Sequence, residues 1–250
     1  MVCHEFNGRR CLGIGCFVVL LAPLTGGCLS LGRIEGPGLI ENRRLGPLRV
    51  AVAPALNQSG SADFDSEAFA DVMASELTYV EGIEVIPVSR VLGVLSAQGT
   101  ERVETAAHAL ELRQLVGADA ILVFAVTEYD PYDPPTIGIA AQLYGKTRDG
   151  QPLSMNPVAV SRRTSFVVKQ GSASQRSLLS QAQRVFDAGH EDTVRAIKVF
   201  AAARDSDDNP FGWRKYVVSQ REYMRFCCHE ILKRLMQSDD TELPPGDVAK

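Results

Sequence analysis

The side chains in this 250-residue chain that could carry chemistry are six cysteines, four histidines and scattered carboxylates. The densest group is Cys227-Cys228-His229-Glu230, a set of soft and borderline metal donors. Successive residues on a helix diverge by about 100°, so four contiguous ligands cannot converge on one ion. The chain also offers no second ligand pair at finger spacing. Cys228 is therefore expected in the core and His229 at the surface or as a satisfied rim group. His108 and His190 have no neighbouring Ser or Cys in a setting that would activate a nucleophile. Asp205-x-Asp207-Asp208-Asn209 begins like a calcium loop, but Pro210 stands where glycine is needed and Tyr216 where the closing glutamate should be. Gly36-Pro37-Gly38 precedes the first strand rather than following one, which excludes a phosphate cradle. No catalytic residue, metal or cofactor is assigned, no small-molecule substrate is expected, and the chain is read as a non-enzyme.

One cysteine has a different prospect. Arg9 and Arg10 precede the apolar run Cys11 to Leu24, which has signal-peptide length and is short for a membrane span. It leads into Leu24-Thr25-Gly26-Gly27-Cys28. This resembles the bacterial lipobox, in which diacylglycerol is attached to the thiol before cleavage, although Thr25 occupies the usual aliphatic position. The resemblance implies that residues 1–27 are a lipoprotein signal peptide and that acylated Cys28 holds the mature chain to a lipid bilayer. A plain secretory signal cut near Gly27 is the alternative. Leu29, rather than aspartate, follows the cysteine, and by the same resemblance the outer membrane is favoured, with the domain facing the periplasm. Each buried methylene contributes about 0.8 kcal/mol, so two or three acyl chains make a lasting anchor.

Loss of residues 1–27 would take the formal charge from −4 to −5, which argues against a nucleic-acid partner. Only Cys227 and Cys228 would then remain beside Cys28. Adjacent on a helix, they are poorly placed for a bridge.

The one candidate binding site is the loop Asp130-Pro131-Tyr132-Asp133-Pro134-Pro135, together with Tyr129 before it. It leaves the carboxyl end of the most apolar strand, where α/β folds gather their binding loops. Prolines reduce the entropy lost on docking, and tyrosines serve well in interfaces. Tyr129, Asp130, Tyr132 and Asp133 are thus expected to bind an envelope protein partner, or a further copy of the chain. The competing reading is that Asp-Pro sequences simply make turns.

The elements that must position this loop follow from periodicity. Residues 28–47, rich in glycine and proline, read as a tether. An α/β domain is expected over 48–170, beginning with the strand Leu48 to Pro54. Asp63 or Asp65 can cap a helix carrying Phe69, Val72, Met73, Leu77 and Val80 on one side. Ile83 to Val88 is a second strand, Ser89 a cap, Val91 to Gln98 a short helix, and Glu104 to Val116 another. Gly117 fits the left-handed position that closes a helix. Ala120 to Val126 is unbroken apolar sequence, as in a central strand covered on both sides. Ile137 to Tyr144 alternates, and Asp149-Gly150 suggests a hairpin to a partner at Ser161 to Lys169. The expectation is an α/β fold with a mixed sheet in two or three layers.

From Ser174, apolar residues including Leu178, Ala182, Val185 and Phe186 keep helical spacing through Gly189. That pattern predicts one helix of about 30 residues, roughly 45 Å long, either kinked at Gly189 or projecting, within a helical extension over 171–237. A last helix is expected from Trp213 to Gln237. Residues 238–250, acidic and proline-bearing, read as a disordered tail.

Three stretches carry a resemblance: Val-Ala-Val-Ala-Pro at 50–54 with its asparagine-containing loop, Pro87-x-Ser89-Arg90, and Gly117-Ala118-Asp119-Ala120 leading to Thr127-x-Tyr129. Together, over roughly Leu48 to Gln151, the chain resembles a periplasmic lipoprotein group. That group includes curli-channel-like subunits, lipoprotein activators of penicillin-binding proteins and the amino-terminal domain of the Tol translocation protein. The resemblance implies a small α/β domain that binds proteins or assembles, without catalysis. An assembly or regulatory module is expected first, and a subunit of a secretion or trafficking channel similar to the curli system is the rival.

Overall fold

The computed structural model describes residues 38–146, 177–204 and 210–237. Cys28 and the signal peptide, the Asp149-Gly150 turn, the expected strand at Ser161 to Lys169 and the tail at 238–250 lie outside them. The described residues belong to one compact unit.

The Val-rich stretch after Pro47 forms β1 (Leu48–Val52), and a short β2 (Leu56–Asn57) continues its line. Asp65 caps α1 (Ser66–Leu77), its side chain accepting the Glu67 and Ala68 N–H groups. β3 (Ile83–Ile86) leads into α2 (Val88–Ala97), which starts behind Pro87 with no side-chain cap, so Ser89 lies inside the helix. α3 (Ala106–Val116) is capped by Thr105 and closed by Gly117 at φ 73, the left-handed conformation expected there.

β4 (Ala120–Asp130) follows, and Ala120 through Val126 are all buried. It pairs parallel with β1 and β2 on one side and antiparallel with β5 (Thr136–Gly145) on the other. The sheet runs β3-β1-β4-β5-β6, with β4 at its centre. Val50, Val52, Leu122, Phe124, Ile137, Ile139 and Leu143 face a core shared with α1. Ala51, Ala53, Ile121, Val123 and Ala125 face a second core beneath α2 and α3. Helices on both faces make three layers, the α/β mixed sheet expected.

The main departure is at Leu178–Asp187, which is strand β6, antiparallel to β5, and not the first half of a long helix. Its alternate residues Ser180, Ala182, Arg184 and Phe186 point toward the carboxy-terminal helix. Two of these are polar, which hides the period of two. The Ser180 hydroxyl donates to the Leu235 carbonyl at 2.6 Å, and Arg184 lies 3.9 Å from Glu230. Val185, counted on the helical stripe, is exposed. The chain turns at Ala188–His190, where the Asp187 carboxylate accepts the Gly189 N–H at 2.7 Å, and only then forms α4 (Glu191–Arg204). The last helix expected from Trp213 is broken: a 3-10 turn at Gly212–Arg214 and the short α5 (Lys215–Val218) come first, Ser219 is extended, and only then does α6 (Gln220–Gln237) run on. Among the described residues no helix is long and apolar enough to cross a membrane.

Residues 38–47, placed in the tether from sequence, pack on the domain. Ile40 exchanges backbone hydrogen bonds with Tyr79 and Glu81, and Ile40 and Leu45 are buried.

The helices on the α1 face are joined by a buried charge. Glu76 of α1 has no exposure, and its carboxylate meets Arg204 of α4 at 2.7 Å and Arg225 of α6 at 3.3 Å. His229, expected near the surface, is buried here instead. Its Nδ1 lies 3.1 Å from the Arg204 guanidinium, which can only donate, and its ring packs 4.9 Å from that of Phe200. Arg204 also stacks on Tyr79 at 3.5 Å. Gly38 passes so close that a Cβ there would lie 2.6 Å from the Arg204 Nε, which holds residue 38 to glycine.

Two stability outcomes follow. Removing one partner of a buried, hydrogen-bonded ion pair costs about 3–5 kcal/mol, so Glu76→Gln is expected to fall near the lower end of that range in urea unfolding, because Arg225 can turn toward water. In β6, Phe186→Ala is expected to lose about 3–5 kcal/mol and Val185→Thr to stay within about 0.5 kcal/mol. Comparable losses at the two positions would contradict the strand assignment.

Candidate functional site

The binding loop predicted from sequence leaves the end of the central strand. Thr127 forms a bulge where the β4–β5 register shifts between Val126 and Glu128. Gly138 faces it, and a Cβ on Gly138 would come within 2.5 Å of the Thr127 hydroxyl. Bulges re-aim the residues beyond them. Tyr129 consequently turns back toward α1, its ring edge-on to Phe64 at 5.6 Å and 85°. Gln220, the first residue of α6, donates its side-chain amide to the Tyr129 hydroxyl.

Asp130 then closes a local turn by accepting the Tyr132 N–H at 3.1 Å. The Asp133–Pro134 peptide is cis. Pro135 is buried, and its carbonyl accepts the Ala188 N–H at 3.0 Å, which fastens the loop to the end of β6. The loop's polar and aromatic side chains stay outside: Asp130 and Asp133 are exposed, and Tyr132 is 74% exposed.

Beside the loop, the start of α1, the end of β4 and the start of α6 enclose a groove of about 390 Å³. Phe69, Val72 and Met224 form its floor, Tyr129 one wall, and Asp63, Asp71 and Arg221 its rim. That volume falls in the range of about 300–1,000 Å³ typical of binding pockets. Burial raises the Tyr129 hydroxyl above its ordinary pKa, and the nearby carboxylates of Asp63 and Asp65 raise it further. The phenol stays neutral, in a negative field. Of the four residues predicted from sequence, Tyr129 lines the groove, while Asp130, Tyr132 and Asp133 occupy the adjoining loop. Asp63 was legible only as a helix cap. Asp71, Gln220 and Arg221 carry no local signal, because α6 reaches Tyr129 through the tertiary fold alone.

A larger depression of about 500 Å³ lies at the opposite end of the sheet, lined by Arg49, Glu84, Arg113, Asp119 and Lys146 among others. It opens at the amino ends of the parallel strands. Part of its polar lining is occupied structurally. Asp119 accepts the Arg49 N–H at 2.9 Å, Arg113 donates to the Ala118 and Asp119 carbonyls, and Arg49 lies 3.6 Å from Glu84. α/β domains place ligand loops at the other end, where Tyr129 lies.

The remaining reactive groups are engaged or shielded. Burial pushes the thiols of Cys227 and Cys228 well above their ordinary pKa, which disfavours the nucleophilic thiolate. His108 pairs with Gln98 at 3.1 Å and His190 with Asp187 at 3.4 Å. Among the described residues, no three His, Cys, Asp or Glu side chains are placed to share a metal ion.

No family model and no curated protein matches the chain. Solved structures do. A lipoprotein of Neisseria meningitidis is 23% identical, with 56% of this chain and 81% of that one covered and a TM-score of 0.37. The LpoB C-terminal domain of Salmonella enterica is 9% identical over 59% of this chain and 87% of the other, with a TM-score of 0.40. A hypothetical protein of Chlamydia trachomatis is 12% identical over 78% and 100%, with a TM-score of 0.37. Lipoproteins, the group that the sequence resembles, are thus among the proteins to which the chain is similar.

Proposed function

We propose that this chain is a bacterial envelope lipoprotein, held through acylated Cys28 to the outer membrane. Its periplasm-facing α/β domain acts as a non-enzymatic assembly or regulatory module that binds another envelope protein. The observation that carries the binding role is Tyr132, 74% exposed on a loop pinned at both ends. An aromatic side chain in water, beside a groove and on a backbone already ordered, loses little entropy on docking. The shielded thiols and the paired histidines favour a module that holds a partner over one that transforms a substrate.

The anchor is tested by mass and by fractionation. Mature protein from bacterial envelopes is expected to begin at Cys28 and to carry diacylglycerol plus fatty acyl mass, and Cys28→Ala is expected to move it from the membrane to the soluble fraction. A mature chain that begins elsewhere without acyl mass would remove the anchor. Protein binding is tested by cross-linked capture from detergent-solubilised envelopes. The double variant Tyr132→Ser/Asp133→Ala is expected to reduce recovery of the wild-type partner at least tenfold, about 1.4 kcal/mol, with the melting curve unchanged. Undiminished recovery would leave the loop a mere turn.

A further inference from the structure

We infer that the groove beside Tyr129 receives a cationic segment of the partner, in which a lysine or arginine lays its methylene stem over the apolar floor and its charged head against the aspartates. This rests on the protein-binding reading above and gives that partner a chemistry.

The charge is one-sided. Asp63, Asp65 and Asp71 line the groove, and Arg221 is the one cation among its described lining residues. Glu67 continues the exposed acidic surface along α1, and Asp130 and Asp133 stand exposed on the adjoining loop. Part of this acidity has a local use, since Asp65 caps α1 and Asp130 closes the loop turn. Among the described residues Asp63 and Asp71 have no hydrogen-bond or ion-pair partner, and both stand exposed on the rim. The field reaches the wall of the groove, where Asp63 and Asp65 act on the Tyr129 hydroxyl.

The shape selects among cations. The carboxylates are not gathered closely enough to share a metal ion. The floor is made of Phe69, Val72 and Met224, which suits an aliphatic stem better than a hydrated ion. A long side chain with an apolar shaft and a cationic tip satisfies both surfaces at once. The same acidic rim repels an anionic lipid surface, so the groove faces a protein rather than the membrane.

The test uses the purified, acylated full-length protein in detergent and two fluorescein-labelled hexapeptides, alternating Lys-Leu and alternating Glu-Leu, followed by fluorescence polarisation. The basic peptide is expected to bind saturably and the acidic one not to bind. Affinity for the basic peptide is expected to fall as salt is raised from about 50 mM to about 500 mM, because the rim charges are exposed. Asp63→Asn/Asp71→Asn is expected to weaken it about tenfold, and Arg221→Ala, which removes the opposing cation, to strengthen it a few-fold. Glu191→Gln/Asp192→Asn, on α4 outside the groove, is expected to leave it unchanged. Equal binding of both peptides, or no effect of the aspartate pair while circular dichroism shows that variant folded, would overturn the inference. If Tyr132→Ser/Asp133→Ala still abolishes envelope capture in that case, the protein-binding reading survives and only the charge assignment is lost. If neither loop nor groove variants alter capture, both are lost.

Discussion

A carboxylate with no access to water must be answered by positive charge, and in this domain that requirement ties distant parts of the chain together. Glu76 sits on α1, early in sequence, while its partners Arg204 and Arg225 belong to α4 and α6. The Coulombic attraction of such a pair is large in a low-dielectric interior, but so is the penalty for stripping both ions of water. The net stabilisation relative to an apolar triad is therefore small. What the arrangement supplies is selectivity, because any packing of the helices that separates Glu76 from the guanidinium groups leaves a bare ion in the core. Arg204 is held further by the faces of Tyr79 and Phe200 and by the bare backbone of Gly38.

The position of α6 determines the groove beside Tyr129. With Arg225 at Glu76 and Phe226 against both Phe186 and Phe200, the helix axis is constrained near its first third. Its far end is held where the Ser180 hydroxyl reaches the Leu235 carbonyl. Those constraints bring Gln220 to the Tyr129 hydroxyl and Arg221 to the rim of the groove. The groove is thus a consequence of how three elements meet. No one of them contains it, and the buried ion pairs lie behind it rather than in it.

Much of the sheet could be read directly from residue order, because each strand there has a one-sided or two-sided burial that its composition reports. Ala120 to Val126 is apolar at every position, and it is covered at every position. Ile137 to Tyr144 alternates, and its two sets of residues enter the two cores. Gly117 stands where the chain needs a positive φ. β6 was misread for a definite reason: Ser180 and Arg184 face inward and are satisfied by a carbonyl and a carboxylate on α6, so polar residues occupy the buried phase of the strand. The apolar residues left over, Leu178, Ala182, Val185 and Phe186, happen to fall three and four apart. His229 and Glu76 were illegible for a related reason. Burial of a charged residue is decided by partners far away in sequence, Arg204 being 128 residues from Glu76. The loop at 130–135 was legible because turn chemistry is local, and the groove beside it was not.

The distribution of charge separates groups that hold the fold from groups free for another purpose. The chain carries only a small net charge, −4 in all, so a concentration of carboxylates at one end of the sheet is not a by-product of overall acidity. Exposed like charges repel weakly across water and are screened within about 10 Å at ordinary salt, so Asp63 and Asp71 destabilise the domain little. The same screening weakens the pull on an approaching ligand until it covers the site. Once a partner displaces water from the floor formed by Phe69, Val72 and Met224, the effective dielectric falls and each carboxylate acts more strongly on whatever lies against it. An apolar floor beneath an acidic rim therefore gains discrimination as it closes: a cationic stem satisfies it, an acidic one is repelled, and a neutral one leaves the aspartates partly desolvated and unpaired.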